Sequence, residues 1–364
     1  MDNSKAKKYN NIKLVVGISK GITAFILLFL FVWLNFSTML EEYLRTFTSN
    51  NYLVLLIFTF SLGLFSSILF SPVKYFVEFY LEHKYNLSNQ TFWKWIWEDA
   101  KEAAVGLVIG VPIILIFYYL LNLFNDLWWL PFGIVLFIIS VFLARILPII
   151  ILPIFYKVTP LENEELKSKI MELSKDAGLS VENIYKFDMS KNTKKANAAF
   201  TGLGKSKRIL LGDTLLENYT NDEIETVIAH ELGHYKKKHI IKNILIGTVT
   251  SFAMFFLISK FYSLSLPYFG FNSLTTISAL PLLGLWATLI SLIITPISNS
   301  ISRKFEYEAD RYAIETTNKK EAFINTLEKL TDQNLGDREP HPIVEWFFYS
   351  HPSIKKRVEA FRNI

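Results

Sequence analysis

Residues 220–238 read TNDEIETVIAHELGHYKKK, and this stretch decides how the chain is organised. Thr220 followed three residues later by Glu223 is a capping box, which opens a helix by satisfying two orphan backbone donors of its first turn. His230 and His234 then fall four apart, one turn along a single helix face, so their imidazoles can share a metal ion. Glu231 follows the first histidine directly, so its carboxylate can reach a water held there without ligating the metal. Two histidines with an adjacent glutamate base are the arrangement of a zinc-dependent peptidase. The competing reading is a helix that carries two histidines by chance, and the surroundings have to decide. The helix is expected to continue through Lys236, Lys237 and Lys238 towards an apolar segment. Those lysines read as interfacial anchors or solvated charges, with a lipid-phosphate or substrate site as the alternative.

Outward from that helix the chain is apolar. Of its 364 residues, 51% are hydrophobic and 15% aromatic, more than soluble domains usually carry. A bilayer span needs about 20 mostly apolar residues. Residues 21–40, 51–73, 103–125 and 127–144 meet that need, the third interrupted by Pro112 and the fourth continuing past Arg145 to residue 156. Residues 243–259 form a shorter fifth span, and a sixth lies within 276–298, inside the uncharged stretch 261–302. The first run exceeds the core of about 7–15 residues that a signal peptide has, so it reads as a span.

Loop charges set the expected orientation. Lys5, Lys7, Lys8 and Lys13 precede the first span, and the second loop carries Lys74, Lys84, Lys94 and Lys101. The first loop has Arg45 against Glu41 and Glu42, and the loop between the last two spans has no charge from residue 261 onward. The positive-inside bias places both termini and the histidine motif on the cytoplasmic side, and Trp128 and Trp129 in an interfacial belt at the outer end of the fourth span. The chain has no cysteine, which excludes a disulfide framework, a thiolate nucleophile and a cysteine-ligated metal.

Residues 157–241 are the main polar portion. Thr159-Pro160-Leu161-Glu162 reads as a helix start, with Thr159 as N-cap, Pro160 in the first turn and Glu162 closing a capping box. Leu166, Ile170, Leu173 and Ala177 then mark one helical face, and Gly178 ends it. Residues 183–189, 196–201 and 208–211 read as short strands separated by lysine-rich or glycine-containing turns. The expected architecture is a mainly α membrane protein, with about six transmembrane helices and an inserted small α+β zinc metalloprotease domain. Residues 1–156 would form a four-span membrane domain. Residues 157–364 would form the metallopeptidase domain, with a two-span hairpin at about 243–298 and a helical cytoplasmic C-terminal segment.

A catalytic zinc needs a third protein ligand and an open position. His83, His239, His341 and His351 do not complete a three-histidine pattern. Glu306 and Asp310, four apart on a helical extension of the sixth span, are better placed. One carboxylate can ligate the metal while the other accepts a ring N–H from a ligating histidine. Glu308 points elsewhere. Taken alone, these carboxylates also read as a solvated helix face.

The segments together resemble the integral-membrane zinc metallopeptidases of the gluzincin type. HELGH, a two-span hairpin and SRKFEYEAD at 302–310 carry the resemblance. Four further segments are similar to the type I, zinc-dependent CAAX prenyl protease branch: Glu82-His83-Lys84-Tyr85-Asn86-Leu87 with Thr91; PIFYKVTPL at 153–161; Asn197-Ala198 followed by KRILLGDTLL at 207–216; and Ser350-His351-Pro352 with Arg357. The resemblance covers the chain from about residue 50 onward. It implies His230, His234 and Glu306 as ligands of one zinc ion, Glu231 as base, and Asp310 as the family aspartate beside the metal or a proton donor. It implies Asn197 and Ala198 beside the substrate strand, and His351 and Arg357 close to the scissile bond. Family members typically have seven spans against the six read here, the first and its following loop being the difference, which weakens the inference about substrate most.

The function expected is zinc-dependent hydrolysis of peptide bonds in membrane-associated or prenylated CAAX-like peptides. A membrane-protein quality-control protease is the alternative. A metal transporter would place ionisable residues within its spans, and a silent scaffold would lack Glu231 or a ligand. The expected partners are a peptide or protein substrate and the lipid bilayer, with no nucleic acid; the sequence is silent on oligomeric state.

Overall fold

The structure, a computed structural model, describes residues 3–179, 184–202 and 207–362. Among the described residues, six helical stretches are long and apolar enough to cross a membrane: Asn3–Trp33, Asn51–Lys84, Phe92–Leu127, Trp129–Phe155, His239–Phe269 and Ile277–Thr317. In chain order they are built on α1 (Asn3–Trp33), α3 (Asn51–Lys74) with α4 (Leu81–Lys84), α5 (Phe92–Phe124), α6 (Trp129–Ile146) with α7 (Leu152–Phe155), α11 (His239–Ser265) and α12 (Pro281–Thr317). The apolar window of α12 is 39% buried, against 6–17% in the other five, so α12 is the spine and the others turn most of their surface outward. At about 1.5 Å per residue, its 37 residues extend roughly 55 Å, well beyond a hydrocarbon core of about 30 Å.

The first span differs from its expected limits. The helix starts at Asn3 and ends at Trp33, because Asn35 takes a left-handed conformation (φ 61°) and redirects the chain into α2 (Phe36–Arg45). That short helix is amphipathic. Its buried Glu41 pairs with Arg45 at 2.6 Å and accepts the Ser278 backbone N–H at 2.7 Å, tying the first loop to the loop between the last two spans. The Tyr262 hydroxyl donates to Leu274 O at 2.8 Å and Tyr118 to Thr275 O at 3.1 Å, so side chains of neighbouring elements fix a loop that carries no charge of its own. Pro112 does not interrupt α5, which is helical throughout. Trp128 is not in an interfacial belt: it is 2% exposed and packs edge-on against Phe117 at 5.1 Å.

In the polar portion, β1 (Val158–Pro160), α8 (Glu164–Asp176), β2 (Ile184–Phe187), β3 (Ala198–Thr201) and β4 (Arg208–Gly212) precede α9 (Asp213–Asn218) and α10 (Asn221–Lys236). The expected helix start at Thr159 is wrong. Thr159 and Pro160 pair antiparallel with Lys186 and Tyr185, and α8 opens at Glu164 behind Asn163, whose side chain accepts Leu166 N–H at 3.0 Å. A proline is tolerated in β1 because an edge strand can leave a donor position vacant. Residue 183 of the expected 183–189 strand lies outside the described residues, as do residues 203–206 of the turn before β4. The sheet order is β1-β2-β4-β3, with β2 and β4 parallel and the flanking pairs antiparallel, so β3 is an edge. Leu166, Ile170, Ile209, Leu211, Ile224 and Ile228 form the core between α8, the sheet and α10.

Three further helices, α13 (Lys320–Gln333), α14 (Pro342–Phe348) and α15 (Ile354–Arg362), close the fold. The beginning of α1 is held against this domain. Tyr9 donates to Glu82, Lys13 and Lys195 reach the same carboxylate at 3.2 and 2.8 Å, and Asn10 donates to Leu335 O at 2.7 Å.

Candidate metal centre

Two helices make the centre. The capping box of α10 is formed as expected: Glu223 accepts the Thr220 N–H at 2.8 Å and Thr220 accepts that of Glu223 at 3.3 Å. Seven residues beyond Glu223, His230 and His234 project from α10 towards Glu306 on α12. The helices can approach because residue 233 is glycine. A Cβ there would lie 3.0 Å from Ala309 Cα and 3.1 Å from Ala309 O, tight enough that the opposing backbone would have to give by a few tenths of an ångström. Ala309 is itself fully buried at the crossing.

The donor atoms converge. His230 Nε2 and His234 Nε2 are 3.2 Å apart, His234 Nε2 lies 3.3 Å from Glu306 Oε1, and His230 Nε2 lies 3.5 Å from Glu306 Oε2. Metal–ligand bonds of about 2.0–2.2 Å in a tetrahedron give donor–donor edges of roughly 3.3–3.6 Å. The two imidazole nitrogens and the Glu306 carboxylate therefore lie close enough for one ion of zinc size to take all three residues as ligands. The atoms' environment fits as well: Glu306 is 4% exposed, and its Oε2 has no hydrogen-bond partner among the described residues. Arg357 Nη2 stands 3.8 Å from that oxygen, too far for a hydrogen bond, so a buried carboxylate oxygen is left free to take a metal ion.

The far sides of the two rings leave Nε2 available. His230 Nδ1 lies 2.8 Å from Asp310 Oδ1, an ion-pair contact without hydrogen-bond alignment, which places negative charge behind the ring. Burial opposes charging the His230 ring, yet Asp310 and Glu306 outweigh it and lift its pKa to about 10. Asp310 is fully buried and receives Arg357 as a two-point fork, Nε to Oδ2 at 2.8 Å and Nη2 to Oδ1 at 2.5 Å. His234 Nδ1 lies 3.0 Å from His239 Nδ1, and His239 Nε2 lies 3.0 Å from Glu308 Oε2.

The structure brings the other expected residues to the same place. A cavity of about 270 Å³ is lined by Glu231, His230, Glu306, Asn197, Ala198 and His351, among others. Asn197 and Ala198 sit at the start of the edge strand β3, where Asn197 O accepts Gly212 N–H at 3.0 Å. His351 faces the centre from the loop before α15. Its side chain is 63% exposed, with Nε2 3.5 Å from Glu306 Oε1 and Nδ1 3.0 Å from Ser350 Oγ.

Sequence reasoning assigned no role to several residues that shape this site. Arg303 donates to the carbonyls of Glu345, Trp346 and Tyr349, the last at 2.6 Å, and so fixes the approach to His351. Buried Glu345 accepts Ser353 N–H at 2.9 Å on the other side of that loop. Asn334 brackets the backbone of Ala196, accepting its N–H at 2.9 Å and donating to its carbonyl at 3.2 Å, which sets where β3 begins. Asp213 and Thr214 of the KRILLGDTLL stretch tie Ser190 and Lys195 to α9. His239 was set aside for failing a ligand spacing, and no spacing rule would have recovered it.

Comparison with known proteins bears on family and fold. The pattern described as Peptidase family M48 matches residues 160–364. That described as CAAX prenyl protease N-terminal, five membrane helices, matches residues 2–157, where the described residues form four helices of membrane-crossing length. The uncharacterized metalloprotease YhfN of Bacillus subtilis is 32% identical over 362 residues, 97% of this chain and 84% of that protein. CAAX prenyl protease 1 of Saccharomyces cerevisiae is 32% identical over 324 residues, covering 82% of this chain and 70% of that protein. The crystal structure of S. mikatae Ste24p matches with a TM-score of 0.84 at 28% identity, over 99% of this chain and 87% of that one.

Proposed function

The chain belongs to peptidase family M48 and is a multi-pass integral-membrane metalloendopeptidase, and on that premise we propose that it works with a single zinc ion held by His230, His234 and Glu306. The observation that carries the proposal is the convergence of His230 Nε2, His234 Nε2 and the buried Glu306 carboxylate, whose ligand atoms all lie within 4.8 Å of one another. The chemistry a bound zinc supplies is Lewis acidity, which polarises a carbonyl and brings a water's pKa to about 7.

The chain's own residues divide the remaining work. Glu231, half-buried in the cavity beside His230, takes the proton of the attacking water and returns it to the leaving amine. His351, exposed and aimed at the centre, is placed to donate to the carbonyl oxygen as charge develops on it. Arg357 is less suited to that donor role, because its fork is engaged by Asp310; it pairs with Asp310, and Asp310 faces His230. The free edge of β3, beginning at Ala198 beside the cavity, offers backbone groups to an extended peptide. A proline scan of β3 that left peptide turnover unchanged would remove the edge-pairing role.

The domains divide at the end of the fourth span, with residues 1–156 as membrane bundle and 157–364 as metallopeptidase unit. Lys5, Lys7, Lys8 and Lys13 on the first helix support a cytoplasmic position for both termini and the centre. Glu306 lies 25 residues into α12, roughly 38 Å along the axis from Pro281, just past a core of about 30 Å and within the headgroup layer. Substrate bonds at that level belong to membrane-associated peptides, and the relatives named CAAX prenyl protease 1 support a prenylated C-terminal peptide as the class. Turnover of a farnesylated peptide should exceed that of its unprenylated counterpart at least tenfold. Equal turnover would redirect the role to membrane-protein quality control. Zinc analysis of the purified protein, with Glu231→Gln as the inactive reference, tests the mechanism: retained turnover in that variant would refute Glu231 as base.

A further inference from the structure

His239 is the first residue of α11, the fifth span, and it is 1% exposed. It reaches the metal centre because the chain breaks between α10 and α11: Lys238 adopts φ 58°, a left-handed conformation that turns the new helix under the old one. Its ring lies flat on Phe305 of α12, with centroids 4.3 Å apart and planes at 10°. Both of its nitrogens are engaged. Nε2 faces Glu308 Oε2 at 3.0 Å, and Nδ1 faces His234 Nδ1 at 3.0 Å. Lys242, one turn further along α11, lies 3.8 Å from the same Glu308 oxygen.

The tautomers follow in order. A carboxylate only accepts, so the His239 proton sits on Nε2, facing Glu308. His239 Nδ1 is then a lone pair, and the hydrogen bond to His234 requires the proton of that ring to be on His234 Nδ1. His234 Nε2 is left with its lone pair directed at Glu306 Oε1 and His230 Nε2, as a metal ligand requires. Glu308, His239 and His234 thus form one chain of hydrogen bonds running from the surface to the ligand atom. Its middle member belongs to the membrane hairpin.

We propose that His239 is a positioning residue that fixes the metal-binding tautomer and rotamer of His234, and that it makes metal affinity depend on the seating of α11 against α12. The proposal rests on His234 being a metal ligand, so its test must separate the two statements. The full-length protein in detergent is titrated with zinc in competition with a chromophoric chelator, and the visible spectrum of the cobalt(II)-loaded protein is recorded. His239→Phe keeps a flat ring on Phe305 and removes the acceptor; His239→Gln restores an acceptor and a donor. His239→Phe is expected to weaken zinc binding 10–100-fold and alter the cobalt spectrum, with His239→Gln recovering most of both. Zinc binding at wild-type strength in His239→Phe, or an equal loss in both variants, would overturn the proposal. Should His239→Phe fail to fold, Glu308→Ala at the surface end of the chain is expected to weaken zinc severalfold, and unchanged affinity there would overturn it equally. His234→Ala separates the premise: stoichiometric, tightly held zinc in that variant would remove the metal-ligand reading itself.

Discussion

The two histidines of the centre are supported in opposite ways. Behind His230 stand Asp310, fully buried, and Arg357, joined as a forked pair inside the polar domain. Behind His234 stand His239, on a membrane helix, and Glu308, whose side chain is 46% exposed. Breaking a buried ion pair from one side leaves an uncompensated charge and costs about 3–5 kcal/mol, whereas an exposed pair contributes about 0–1 kcal/mol. The His230 side should therefore be structural as well as functional, and the His234 side mainly functional. One ligand is braced by the folded domain and the other by the bilayer-embedded hairpin, so the centre is complete only when both are seated.

The largest effect expected touches neither support. Glu231→Gln should lower peptide turnover about 10²–10⁴-fold while zinc content stays at the wild-type level, separating the use of the metal from its retention. A proportional loss of zinc would place Glu231 among the ligands and collapse the comparison. Asp310→Ala comes next. It should destabilise the protein by about 3–5 kcal/mol in a denaturant or thermal assay, because Arg357 stays buried without its partner. The matching change Glu308→Ala should cost no more than about 1 kcal/mol in that assay. Equal losses of stability would show that the two supports are alike after all.

Gly233→Ala sharpens the comparison at the helix crossing itself. Its Cβ would meet Ala309 backbone atoms at 3.0 and 3.1 Å, pushing α10 and α12 apart at a cost of about 1–3 kcal/mol, with zinc affinity falling alongside. Wild-type zinc affinity in that variant would mean that the spacing of the two helices is not what sets the ligand geometry. The smallest effect belongs to Lys238→Gly. The left-handed position is then free of Cβ strain, so stability should change by no more than about 1 kcal/mol and His239 should keep its contacts.

Much of the centre was legible in the sequence because its parts follow local rules. Four-residue spacing on a capped helix brings His230 and His234 together, and the same spacing relates Glu306 to Asp310 on the continuation of a span. The spans were legible from uncharged length, though not their ends. Asn35 terminates the first helix by a left-handed turn that no hydropathy window contains. The start of α8 was misplaced because two caps compete within five residues: Thr159-Pro160 satisfies the pattern, but pairing with β2 takes those residues and leaves Asn163 as the cap. Trp128 has interfacial chemistry, and its partner Phe117 lies on α5, which only the fold brings against it. His239 and Glu308 were beyond reach for the same reason. Their meeting depends on the backbone at Lys238 and on two spans returning to one level, and neither is encoded in a local spacing.

The most direct test of the central claim is anomalous diffraction at the zinc edge from crystals of the full-length protein. One peak is predicted, within about 2.0–2.2 Å of His230 Nε2, His234 Nε2 and a Glu306 oxygen. A zinc-loaded protein whose peak lay elsewhere, or that showed none between α10 and α12, would contradict the account.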